Sequence, residues 1–286
     1  MAKVGIVTES TNCLPPELIK EYDIRVVPYT VVIKDKPYRD GIDITTGEFL
    51  KILKTAKKLP TSAAPAVGDL IDIFKELSQT TDNIVFIHTS AALSAATQEV
   101  GLTAKDFMKK ETPKVNIELV DSRISVGGLA LIVLEAARAA QAGKDLEQVI
   151  EVVKDMIPRV QWLATLETLH YLIKGGRAPK VSGWIGEMLS IKPIIGMFDA
   201  LGTVQAVGRA RTKGKAIARL VEIAKERLNE KRQVHMLIQY AGFADDVEKL
   251  KEMLGSQLDC AELYLSELSP VACVHTGGIL MLSFYA

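Results

Sequence analysis

The chain has 286 residues, 48% hydrophobic and 24% charged, a balance that supports a substantial core and suggests about two domains. Its 35 Lys and Arg are matched by 35 Asp and Glu, so it lacks the basic excess that a nucleic-acid or anionic-membrane surface requires. The three cysteines, Cys13, Cys260 and Cys273, stand far apart without metal or disulfide spacing, which suits a reducing, cytoplasmic setting. The opening "MAKVGIVTES" reads as a strand rather than a signal peptide, and no apolar run approaches the ~18 residues of a membrane span.

In chain order, "KVGIVTES" predicts a strand and "PPELIKEY" a short helix with prolines in its first turn, where they are tolerated. "IRVVPYTVVI" is a second extended run, and "TTGEFLKILKTAKK" has helical apolar spacing. "LPTSAAP" reads as a loop before the amphipathic helix "GDLIDIFKELSQ". A strand over 83–88, a helix from about 91 to 108, the strand "KVNIELVDS" and the helix "GGLALIVLEAARAAQAG" follow. Strands separated by helices of this length imply βαβ crossovers, so residues 1–158 are expected to form an α/β/α domain on a parallel sheet.

Residues 159–286 are expected to form a second α/β domain on a mixed sheet, because more of its strands are consecutive. "VQWLAT" is a strand, and "LETLHYLIKGG" a helix closed by glycines. "IKPIIGMF" and "GTVQAVG" read as a hairpin or meander. "KAIARLVEIAKERLNE" and "DDVEKLKEMLGSQL" are helices, while "QVHMLIQY", "AELYLSEL" and "ILMLSFY" are strands.

In an open parallel sheet, ligands settle beyond the carboxyl ends of the strands. "TESTN", "HTSAALS" and "VDSRIS" occupy that edge, and "LPTSAAP" is placed to join them. Their hydroxyls suit either of two roles, capping helices or holding an anion at helix N-termini. His275 follows a helix start at Ser269 and Pro270; His88, His170 and His235 read as structural. No histidine pair has metal-ligand spacing, and GxSxG, Walker A and GxGxxG are absent from the sequence. The residues alone therefore describe a two-domain α/β protein that binds a small anion through hydroxyls.

Taken in order, "TEST", "PTSAAP", "TSAALSAATQ", "VDSRISVGG", "LETLHYLIKGGRAPK", "LSIKPII", "RARTKGKA" and "SPVACVHTGG" resemble the DegV family of bacterial fatty-acid-binding proteins over essentially the whole chain. The resemblance implies a two-domain α/β fold holding one long-chain fatty acid between its domains, with no other cofactor. It also implies a carrier, not an enzyme, that presents the acid to a separate fatty acid kinase for acyl-phosphate formation. Thr61 and Ser94 match the family's carboxylate-holding hydroxyls, His275 a histidine near the head group, and Arg177 a supporting residue. Arg211 matches an arginine linked to presentation. Among the departures from the family pattern, Glu9 stands where aspartate is common and Ala95 where glycine is usual. Residues 181–198, rich in Ile, Met and aromatic groups, are the candidate tunnel wall, and no stable membrane insertion is expected. The alternative is an enzyme, either dihydroxyacetone-kinase-like or a hydrolase using Ser94 and His275.

Overall fold

The structure, a computed structural model, describes residues 4–177, 191–228 and 233–286. The chain begins with β1 (Val4–Glu9), a 3-10 turn (Ser10–Asn12), α1 (Pro16–Glu21), β2 (Arg25–Val27), β3 (Thr30–Ile33), β4 (Lys36–Arg39) and α2 (Thr46–Thr55). It continues through β5 (Thr61–Ala63), α3 (Val67–Leu77), β6 (Asn83–His88), α4 (Ala95–Glu111), β7 (Asn116–Asp121), α5 (Gly127–Gln141) and α6 (Leu146–Met156). Strands β2-β1-β6-β7 form an all-parallel sheet. All six residues of β1 are buried, as expected of a strand covered on both faces. Leaving β1, the chain moves to β2 on one side and later to β6 on the other, so a topological switch point lies between β1 and β6.

The extended run around 24–33 is divided. Pro28 cannot donate to a ladder, β2 ends at Val27, and β3 joins a separate antiparallel sheet of order β4-β3-β5. The expected loop "LPTSAAP" contains β5, whose Ser62 pairs with Val31. The helix expected from 91 begins at Ala95, after a turn over 91–93.

Beyond α6 lie β8 (Gln161–Leu166), α7 (His170–Lys174), β9 (Lys192–Met197), β10 (Gln205–Ala210) and α8 (Lys213–Leu228). Then come β11 (Val234–Ala241), α9 (Ala244–Gly255), β12 (Cys260–Glu267), α10 (Pro270–Thr276) and β13 (Ile279–Tyr285). Their sheet has the order β10-β9-β8-β13-β11-β12 and is mixed, with β11 and β12 parallel and the other pairs antiparallel.

Helix α5 positions the two larger sheets. Leu129 to Leu134 are all buried, the mark of a helix covered on every side. It packs on β1 and β6 of the parallel sheet and on β8, β11 and β13 of the mixed one. One hydrophobic cluster accordingly runs from Val4 and Ile6 through Leu129 and Ile132 to Trp162, Ile279 and Met281. Among the described residues, no helix is long and apolar enough to cross a membrane.

Candidate ligand-binding site

A cavity with an empty volume of about 740 Å³, including its mouth, opens where the carboxyl ends of β1 and β6 face the mixed sheet. Each of the three hydroxyl-bearing segments at the sheet edge contributes to its lining: Thr11 after β1, Thr89 and Ser94 after β6, and Ser125 after β7. The opposite wall is largely apolar, with Trp162, Ile195, Ile279 and Met281 from the mixed sheet and Leu172 from α7. Of the candidate tunnel wall, Ile195 lines the cavity; its portion 181–190 lies outside the described residues.

Ser94 occupies the N-cap position of α4, yet its side chain caps no helix N–H. Its Oγ accepts from the Tyr29 hydroxyl at 3.2 Å and lies 2.8 Å from Thr97 Oγ1. Tyr29 and Thr97 are also hydrogen-bonded to each other. The hydroxyl is thus held by a polar triad at the cavity wall rather than used on the helix end. Thr89 and Ser90 donate to the carbonyls of Ile124 and Gly202, at 3.4 and 2.8 Å, which ties this loop to its neighbours.

Helix α10 carries His275 into the lining. His275 Nε2 lies 2.8 Å from Ser62 Oγ. Burial, reinforced by the charge of Arg177, pulls the imidazole pKa down to about 4, so the ring is neutral at physiological pH. Its Nδ1 is buried without a hydrogen-bond partner among the described residues. A Cβ at Gly175 would lie 2.7 Å from that nitrogen; glycine lets the backbone leading to Arg177 pass this close. Arg177 lines the cavity and donates from Nη1 to Gly175 O at 2.6 Å.

Ser94, His275 and Arg177 therefore share one cavity, while Thr61 and Arg211 lie outside its lining. Side chains alternate along a strand, and in β5 Thr61 and Ala63 are exposed while Ser62 is turned inward to His275. Ser62, rather than Thr61, lines the cavity. Arg211 is exposed between β10 and α8. The Ser94–His275 pair of the hydrolase alternative is not formed, because Ser94 bonds Tyr29 and Thr97 instead. Ser62 does meet His275, but its imidazole is a weak base, and no carboxylate orients Nδ1 among the described residues. No cluster of potential metal ligands occurs among the described residues. The other three histidines have structural contacts: His88 Nδ1 meets Thr89 O at 2.8 Å, His170 packs edge-on against Tyr171, and His235 stacks on Tyr285.

Two buried carboxyls stand behind this wall. Glu9 accepts the N–H groups of Thr11 and Thr89, at 2.7 and 3.1 Å. Asp40 accepts Ser10 Oγ–H at 2.6 Å and Val271 N–H at 2.8 Å, fastening the first turn of α10. Tyr29, Ser62, Glu9 and Asp40 were not among the expected site residues.

Comparisons with known proteins agree with this architecture. A DegV domain-containing protein of Clostridium perfringens is 32% identical over 274 residues, covering 96% of this chain and 95% of its own. A solved structure described as fatty acid binding of a DegV family protein from Thermus thermophilus superposes with a TM-score of 0.90, at 28% identity and 99% coverage of both chains. A stearic acid-binding protein from Eubacterium ventriosum gives a TM-score of 0.88 at 25% identity, covering 100% of this chain and 98% of its own. The family model described as "Uncharacterised protein, DegV family" matches residues 3–284, and the chain belongs to the DegV family.

Proposed function

We propose that this chain binds one long-chain fatty acid in the cavity between its two larger sheets and acts as a carrier rather than an enzyme. The observation that carries the reading is the asymmetry of the cavity. One wall gathers Ser62, Ser94, neutral His275 and Arg177, and the other is built from Trp162, Ile195, Ile279 and Met281. A fatty acid has the same asymmetry, and fold neighbours are described as binding fatty acids, one of them stearic acid. In this reading the carboxylate meets the hydroxyls and Arg177, and the tail lies along the apolar wall. Residues 1–158 and 159–286 serve as two domains that meet at the site, in a cytoplasmic protein.

Organic extraction of the protein purified from bacteria, followed by mass spectrometry, tests this directly. The expected result is about one long-chain fatty acid per chain. Extracts containing only a small polar metabolite would sink the proposal, and esterase turnover abolished by Ser62→Ala would favour the hydrolase alternative.

The finer part of the proposal is that the chain presents the carboxylate to a separate fatty acid kinase, which phosphorylates it. Arg211 is exposed just ahead of α8, within the charged run "GRARTKGK". A planar guanidinium can grip carboxylate or phosphate in a bidentate way, and a rim charge sets register more than ligand affinity. Arg211→Ala is expected to keep normal lipid content and thermal stability while losing most kinase-dependent acyl-phosphate formation. Wild-type activity with the kinase would exclude this role, and a lipid-free Arg211→Ala protein would assign the residue to lipid retention instead.

A further inference from the structure

Glu9 ends β1 with a side chain that is 0% exposed. Its two carboxyl oxygens accept the backbone N–H groups of Thr11 and Thr89, and both threonines line the cavity. The carboxyl therefore stands one peptide behind the cavity wall and joins the loops on either side of the switch point. Among the described residues, its main hydrogen-bond and charge partners include no Lys or Arg. The ionisable groups around it, among the described residues, are Asp40 after β4, the Tyr29 hydroxyl just before β3 and the Cys13 thiol after the 3-10 turn. His88 of β6, next to Thr89, has its pKa lowered chiefly by burial. The cationic group is on the cavity side, where Arg177 acts on His275 and Tyr29.

We infer that Glu9 is a positioning residue for the head group, one that fixes the loops bearing Thr11 and Thr89 and takes up a proton when a carboxylate enters the cavity. This rests on the fatty-acid reading of the cavity. A bound carboxylate would be a third acidic group beside Glu9 and Asp40 in a region of low dielectric, and neighbouring carboxylates favour protonation of one member. Asp40 has donors of its own, among them Ser10 and Val271. Burial pushes the Glu9 carboxyl up to about 7, so its protonation is within reach at neutral pH. It comes from solvent and returns there when the acid leaves.

The test is oleate binding to the delipidated full-length protein, by calorimetry in buffers of different ionisation enthalpy, across pH values of about 6 to 9. Wild-type affinity is expected to be nearly level up to about pH 7 and then to fall by as much as tenfold per pH unit, with up to about one proton taken up per oleate. Glu9→Gln, whose amide resembles the protonated carboxyl, should bind oleate without that slope or uptake. Glu9→Leu, which has no acceptor for Thr11 and Thr89, should lose the slope and bind more weakly throughout. Equal slopes and proton uptake in wild type and Glu9→Gln would overturn the inference. Absence of oleate binding in wild type would overturn the fatty-acid reading and this one with it. Should Glu9→Gln fail to fold, infrared difference spectra of wild type labelled at its glutamate carboxyls decide: a protonated glutamate signal gained on oleate loading above neutral pH supports the assignment, and its absence refutes it.

Discussion

Glu9→Gln is expected to flatten the pH dependence of folding stability in the lipid-free protein. In the folded chain burial pushes the Glu9 carboxyl from the ordinary 4.5 up to about 7. Between those values the folded state holds a proton that the unfolded state has lost, so stability falls as pH rises from 4.5 through 7 and then levels off. The difference corresponds to about 3 kcal/mol at about 1.4 kcal/mol per pH unit. Glutamine is close in shape to the protonated carboxyl, but its amide NH2 cannot accept the second of the two backbone N–H groups, so the variant should fall somewhat below wild type in acid. Its stability relative to wild type should rise by about 3 kcal/mol between acid and the range above neutrality. Asp40, whose carboxyl is also raised by burial, contributes in both proteins and largely cancels in the comparison. Denaturant unfolding of both at about pH 4.5 and about pH 8 measures the difference. Parallel stability curves would mean that Glu9 is ionised in the folded chain at no cost.

The parts of this fold set by local patterning were legible in the sequence. The alternation of strands and helices up to "GGLALIVLEAARAA" implied the parallel sheet, and the consecutive strands after 159 implied the mixed one. The rule that ligands gather at strand carboxyl ends correctly drew attention to the segments that supply Thr11, Thr89, Ser94 and Ser125 to the cavity. What escaped depended on partners distant in sequence. Thr61 and Ser62 are adjacent hydroxyls, and only the pairing of β5 with β3 decides which of them turns toward His275. In a strand one residue of register exchanges the faces. Tyr29 was hidden in a run that Pro28 divides between two sheets. Glu9 and Asp40 looked like ordinary acidic residues, because full burial of a carboxyl is a property of the packed molecule, visible only once their donors on Thr89 and Val271 are known.

Blocking the apolar wall should remove far more ligand affinity than deleting any one hydroxyl. A tail of about fifteen buried methylenes contributes roughly 12 kcal/mol gross, at about 0.8 kcal/mol each. A charge-assisted hydrogen bond to the head group contributes about 1.5–3 kcal/mol. Val204 tests the contrast well: it lines the cavity, is 4% exposed, and lies outside regular structure just before β10. A loop position can yield to a larger side chain, so Val204→Trp should cost at most about 1–3 kcal/mol of stability. If the indole excludes a third of the tail, about 4 kcal/mol of binding is lost, close to a thousandfold in affinity. Mass spectrometry of extracts should find Val204→Trp nearly free of fatty acid while its melting transition stays cooperative. Ser94→Ala and Ser62→Ala should keep most of their lipid, because the tail still holds it, but present the carboxylate poorly to a kinase. Thr61→Ala, on the outer face of β5, should match wild type in both respects. A folded Val204→Trp protein with full fatty-acid content would show that the tail does not run along this wall, and unchanged presentation in both serine variants would move the head group away from His275.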